Sequence, residues 1–221
     1  MVQKTSSAQK AVTKSVKKPA EPETARRGRP RAYDPAEALQ AARDIFWVKG
    51  YAATSLDDIV EATKMNRPSL YAAFGDKEAI YLAALKMQGE LLVTAIAGAV
   101  ALEMKLKAFL DLFFGRCIDS YLAGAAGPRG CFLVGTALTE SLMREDVGAV
   151  VRDAFGRCDD LFEERFKRAK KAGDLPKSAD ARALAMLVSS TMHELSMLAR
   201  AGSSRAALAD RANLAMRLIG V

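Results

Sequence analysis

The sequence predicts an all-α protein of about nine helices, and three observations support this. Ala and Leu abound while β-branched residues are scattered, aromatic residues make up only 7% of the chain, and apolar positions recur at helical spacing between cap signals. With 221 residues, half of them apolar, the chain is long enough for one small head and one larger core.

Each helix has a local reason. Asp34-Pro35-Ala36-Glu37 supplies an N-cap, a proline at the first helical position and an acidic N3 residue. Leu39, Ala42, Ile45, Phe46 and Val48 then form an apolar stripe, and Gly50 closes the first helix as a C′ residue. Thr54 and Ser55 offer the next N-cap, with Asp58 at N3, and Leu56, Ile59 and Val60 give the buried face of a short second helix ending near Ala62. Asn66 caps a third helix over about Arg67 to Ala73, where Pro68 sits in the first turn at no hydrogen-bonding cost. Its Leu70 and the following Phe74 share one edge, with Met65 just before. Arg67, Ser69, Tyr71 and Ala72 therefore point outward. Asp76 starts a long fourth helix reaching Ala97 or beyond, and further helices read at about Glu103 to Leu122, Cys131 to Met143, Asp146 to Ala172, Ala179 to Ala201 and Arg205 to Ile219.

The charge is unevenly placed. Met1 to Arg31 holds nine basic and two acidic residues, which accounts for the whole formal charge of +7, while the remaining bases and acids cancel. Residues 1–28 read as a disordered basic tail, too poor in large apolar side chains to offset its ordering entropy. Such a tail suits a polyanion. In Arg26-Arg27-Gly28-Arg29-Pro30-Arg31 the Gly-Arg-Pro core resembles an AT-hook, so Arg29 and Arg31 are candidates to enter a narrow A·T minor groove. Tyr33 to Asp76, by contrast, holds four basic residues against seven acidic ones. The arm should therefore supply much of any affinity for DNA.

Several classes are excluded or weakened. No glycine-rich phosphate loop, HExxH or nucleophile elbow occurs, and one histidine, His193, leaves no basis for an enzyme. Cys117, Cys131 and Cys158 are too widely spaced for a zinc knuckle or a disulfide framework, so neither a metal nor a cofactor is expected, and a reducing cytoplasm fits. The longest nearly apolar run, Leu91 to Leu102, is too short to cross a bilayer, so no membrane partner is expected.

A helix with a buried Leu/Phe edge and an exposed Arg/Ser/Tyr edge, preceded by a second short helix, suits a major groove. The run Thr54-Ser55-Leu56-Asp57-Asp58-Ile59-Val60-Glu61-Ala62, followed by Asn66-Arg67-Pro68-Ser69-Leu70-Tyr71-Ala72-Ala73-Phe74-Gly75-Asp76-Lys77-Glu78, resembles the DNA-binding head of the TetR/AcrR regulators over roughly Arg29 to Leu85. The resemblance implies a head with its arm over residues 29–80 and a ligand-binding and dimerisation domain over residues 81–221. It implies that Asn66 to Tyr71, Pro68 included, face the major groove, with Arg67 and Ser69 reaching base edges. Thr54, Tyr71 and Lys77 would hold phosphates, with Ser55 on the same face. Where the family's turn usually has Gly this chain has Lys64, at a cost of about 1 kcal/mol if φ is positive there, or as a further phosphate contact.

For the remainder, the resemblance implies a homodimer on a palindromic operator, released by a small-molecule effector. Leu184, Leu187, Val188, Leu195, Leu208, Ala212 and Leu218 would build either that interface or an intramolecular core. Cys117, Tyr121, Cys131, Phe132, Thr136, Phe155, Phe162 and Met192 are candidates to line an effector pocket, and the same helix faces also explain them as core. Cys131 follows Arg129-Gly130 at a helix start, where charge and macrodipole favour a thiolate open to an electrophilic inducer. The competing reading, a small buried hydrophobe, is preferred.

Overall fold

A computed structural model describes residues 34–124 and 127–220. The basic tail and the arm with Arg29 and Arg31 lie outside the described residues. Among those described, every regular element is helical: α1 (Pro35–Ala53), α2 (Leu56–Thr63), α3 (Arg67–Phe74), α4 (Lys77–Val100), α5 (Leu106–Leu122), α6 (Phe132–Thr139), α7 (Glu145–Ala172), α8 (Ala181–Arg200) and α9 (Arg205–Ile219).

The local cap signals operate as read. Asp34, Ser55, Asn66 and Asp76 each accept a backbone N–H in the first turn of α1, α2, α3 and α4. Gly50 has φ 79° and ψ 168° and breaks α1, so the main helix ends before it and one further turn follows. Three later boundaries differ from the expected ones. α5 begins at Leu106 and not Glu103, because the Asp174 carboxylate accepts from the Leu106 N–H at 3.0 Å and from Lys105 Nζ at 3.0 Å. α6 stops at Thr139 and not Met143, since the chain turns back there. An added Cβ on Gly148 of α7 would lie 3.0 Å from Arg152 Nη1 and 3.1 Å from the Ser141 carbonyl oxygen, a close approach that glycine leaves unstrained. Leu142 and Met143 are left 95% and 82% exposed on that turn. α8 starts at Ala181 because Asp180 caps it through the N–H groups of Arg182 and Ala183.

Two apolar clusters organise the molecule. One joins Ala42, Phe46 and Trp47 of α1, Ile59 of α2, Leu70 of α3 and Ile80 to Leu85 of α4 to Phe132 and Leu133 of α6 and Val147 to Ala154 of α7. The other is built from the end of α4, α5, the rest of α7, α8 and α9, around Phe109, Phe113, Phe114, Phe162 and Phe166. α4 runs through both, and α6 packs with the head. By length and mean hydropathy α4 is apolar enough to span a bilayer, which a search for uncharged runs alone does not reveal. α1, α6 and α7 pack against it and bury one face, Ile80, Tyr81, Ala84, Leu85 and Val93 included.

Candidate nucleic-acid interface

The turn between α2 and α3 sets the geometry of the exposed face. Ser55 Oγ accepts from Asp58 N–H at 3.1 Å while Asp58 Oδ2 accepts from Ser55 N–H at 2.8 Å, a reciprocal capping box. Lys49 Nζ donates to the same carboxylate at 2.6 Å, and chiefly through that bond holds the Asp58 carboxyl down to about 2. At the other end of α2, Lys64 adopts φ 56° and ψ 22°, the one non-glycine residue with positive φ among the described residues. The left-handed turn that glycine would suit is therefore present, and Lys64 bears its strain.

Thr63 Oγ1 donates back to Ile59 O at 2.8 Å, Met65 is buried, and Asn66 Oδ1 accepts from Ser69 N–H at 2.9 Å to start α3. Leu70 is fully buried, which leaves Asn66, Arg67, Pro68, Tyr71, Ala72 and Ala73 exposed and Ser69 half-buried. Tyr71 keeps 44% of its surface open. The edge expected to face DNA is the open one.

Three of the expected contact residues are engaged in ways helix-face reading did not show. Arg67 Nη2 forms an ion pair with Asp57 Oδ1 at 2.6 Å, across the turn. Lys77 Nζ lies 4.3 Å from the Tyr51 ring centroid. Thr54 is buried, and its hydroxyl donates to Gly50 O at 2.6 Å, so it shapes the kink after α1 and does not present a free hydroxyl.

A joint between α1, the loop after α5 and α8 was not foreseen. Trp47 Nε1 donates to Arg129 O at 3.1 Å, and Arg200 Nη1 donates to Trp47 O and Arg129 O at 3.2 and 3.1 Å. The Arg129 guanidinium stacks 4.0 Å over the Trp47 ring and reaches Asp44 at 3.8 Å. Beside it, Arg144 packs between Tyr51 and Tyr81 and pairs with Glu78 at 2.9 Å.

The candidate effector residues do not form one lining. Phe162, Met192 and the buried Tyr121 lie in the body core, and Cys117 packs against it. Phe155 stacks on His193 with ring centroids 4.2 Å apart. Cys131, Phe132 and Thr136 instead line a cleft facing α1. The argument for a favoured Cys131 thiolate fails in the structure. Burial raises this thiol more than the N–H groups of Val134 and Leu133 lower it, and Arg129 covers Trp47 rather than the sulfur. Burial likewise pushes Cys117 and Cys158 up to about 12.

Comparison with known proteins agrees with the geometry. Residues 38–84 match the model for bacterial regulatory proteins of the tetR family, and residues 105–215 match that for a tetracyclin repressor-like C-terminal domain. The chain belongs to the TetR family. The TetR-family regulator CifR, solved as a cysteine mutant with 26-base-pair double-strand operator DNA, is 32% identical, with a TM-score of 0.76 over 86% of this chain and 98% of that one. The transcriptional repressor ComR of Escherichia coli is 29% identical across 87% of this chain and 91% of its own. A TetR-family regulator from Agrobacterium tumefaciens shares the fold at a TM-score of 0.74 and 22% identity, over 84% and 96% of the two chains. This TetR-family chain is thus a DNA-binding transcriptional regulator and not an enzyme.

Proposed function

We propose that this regulator is a ligand-responsive repressor of the cytoplasm that binds a palindromic operator as a homodimer and is released by a small molecule. The observation that carries the reading is the open edge of α3. Asn66, Arg67 and Tyr71 stand exposed on a helix whose start is fixed by the Lys64 turn and the Asn66 cap. Arg67 and Ser69 would read base edges, while Tyr71, Ser55, Lys64 and Lys77 would set register on phosphates. Arg29 and Arg31 would add the minor-groove grip. Exposed Met186 of α8 and Leu214 and Leu218 of α9 support a two-fold apolar interface, and a two-fold pair of heads calls for a palindrome.

The head and its arm would occupy residues 29–80, and the effector domain residues 81–221. An effector acts only through its differential affinity for operator-bound and free conformations. An electrophile reacting at Cys131 is the special case, and the raised thiol speaks against it. An inducer response that survives Cys131→Ser removes that case.

The test is selection of genomic fragments by the purified chain, repeated with Arg67→Ala and Tyr71→Ala. The expected result is a palindromic fragment bound by the natural chain, with loss of sequence preference in Arg67→Ala and uniformly weaker binding in Tyr71→Ala. Fragments retained equally by both variants would overturn the reading in favour of an arm-only A·T binder. Deleting residues 1–31 should lower affinity and flatten its salt dependence.

A further inference from the structure

α6 carries a glycine where its helical face meets the head. A Cβ built on Gly135 meets nothing within 4 Å, so the position opens on space inside an otherwise packed joint. That space is a cleft of about 170 Å³ between α1, α4 and α6, with Arg200 of α8 at its side. Its walls are aromatic: Trp47 and Tyr51 of α1, Tyr81 of α4 and Phe132 of α6. The polar atoms of Tyr81, Thr136 and Trp47 are already satisfied. Tyr81 Oη and Thr136 Oγ1 share a hydrogen bond of 2.8 Å, and Trp47 Nε1 is turned onto Arg129 O. The cleft opens to solvent past Leu138 and Thr139, and a ligand that covers its aromatic edges gains by removing them from water; its volume is near the roughly 150 Å³ that admits benzene. The one cation at the side, Arg200, is anchored by Nη1 to two carbonyls with its exposed guanidinium at the rim. It is placed to meet an oxygen on a ligand that is otherwise apolar.

We propose that this cleft is a small-molecule site for single-ring phenols, separate from any pocket in the body core. The ring lies among Trp47, Tyr81 and Phe132, and the hydroxyl faces Arg200. Because α1 supplies one wall and α6 the opposite one, a bound phenol bridges the head helix and the body through the Trp47 joint. A ligand there weighs on head placement wherever its affinity differs between head positions.

Trp47 is the sole tryptophan and lines the cleft, so binding is read directly in the full chain without DNA. The probe is p-cresol, titrated against Trp47 emission excited at the red edge and, in parallel, by calorimetry. Gly135→Leu fills the cleft from inside, into space that nothing occupies, and Thr139→Phe plugs its mouth from an exposed position that leaves the core alone. Gly98→Leu, on an exposed and equally open site of α4, is the control for an added apolar side chain. A saturable response is expected that weakens by about tenfold or more in both plugged variants and by less than about twofold in the control, tenfold being the loss of roughly 1.4 kcal/mol of contact. Toluene should bind more weakly than p-cresol. No saturation, or unchanged affinity in both plugged variants with their thermal unfolding intact, would overturn the proposal. None of these readouts depends on an operator, so they fail or succeed independently of the repressor reading.

Discussion

Gly130 is the position where one methyl group should do most damage. Its φ is +63°, and a Cβ added there would lie 2.7 Å from the Ser196 carbonyl oxygen and 3.1 Å from Ser196 Oγ. Both atoms belong to α8, and the nearer is backbone, so the loop must move. That Ser196 hydroxyl accepts from Cys131 N–H at 2.8 Å, and Arg129 O one residue earlier receives Trp47 and Arg200. Left-handed backbone costs an alanine about 1–2 kcal/mol, and stranding the half-buried Cys131 N–H adds about 1–3 kcal/mol. Alanine also stiffens the unfolded chain, which returns about 0.5–1 kcal/mol. Gly130→Ala should therefore destabilise by about 1–4.5 kcal/mol, measured by urea unfolding at fixed protein concentration. Gly173→Ala is the comparison, because Gly173 has φ +80° but an added Cβ there meets nothing. It should lose only the backbone term, about 1 kcal/mol. Trp47 emission in Gly130→Ala should also shift while the chain is still folded, since the acceptor of its indole N–H moves. Equal midpoints for the two variants would refute the collision argument.

Lys64→Gly should move two measurements in opposite directions. Relief of the φ 56° backbone raises stability by about 0.5–1 kcal/mol, and loss of a phosphate contact lowers operator affinity and reduces the salt slope by about 0.9. A destabilised variant would show that the turn is not strained. Asp57→Asn removes the partner of Arg67 at little cost to folding, the pair being exposed. It should raise non-specific DNA affinity while lowering discrimination at the bases Arg67 is proposed to read, checked by competition with random duplex. His193 is stacked on Phe155 with its Nε2 buried and without a partner, and burial lowers it below its ordinary 6.5 although Asp159 opposes this. The unfolded chain then takes up the proton first, so this histidine leaves stability intact above about pH 6.5 and erodes it as pH falls below that value. His193→Phe should melt within a few degrees of the natural chain at pH 7.5 and gain on it at pH 5.5; parallel pH curves would count against the burial argument.

What was legible in the chain is what is local. The caps at Asp34, Ser55, Asn66 and Asp76 each act within three residues, so their spacing carries them. The buried Leu70 and the open Arg67 and Tyr71 follow from helical periodicity. What was not legible depends on pairs far apart in sequence. The start of α5 is set by an acid 68 positions away, and the joint at Trp47 by Arg129 and Arg200, 82 and 153 positions on. Cys131 carries the signs of an activated thiol in its neighbours, but it packs against both apolar clusters with its N–H on Ser196 of α8, which no local motif records.

The same distinction bears on how the head grips DNA. Of the four basic residues from Tyr33 to Asp76, Arg43 is bonded to Asp44, Lys49 to Asp58 and Arg67 to Asp57, which leaves Lys64 as the one of these four without an acidic partner; Lys77, just beyond, lies over the Tyr51 ring. A count of charges already made the head net acidic; the pairing shows that the few cations present are committed to fixing α1, α2 and α3. Lys49 braces the capping box and Arg67 is held across the turn, so each serves geometry before it serves attraction. Counterion release scales with the phosphates actually neutralised, and a head whose cations without an acidic partner are Lys64 and Lys77 neutralises few. On the proposed reading, long-range attraction comes chiefly from the nine basic residues before Ala32, and α3 discriminates among sequences.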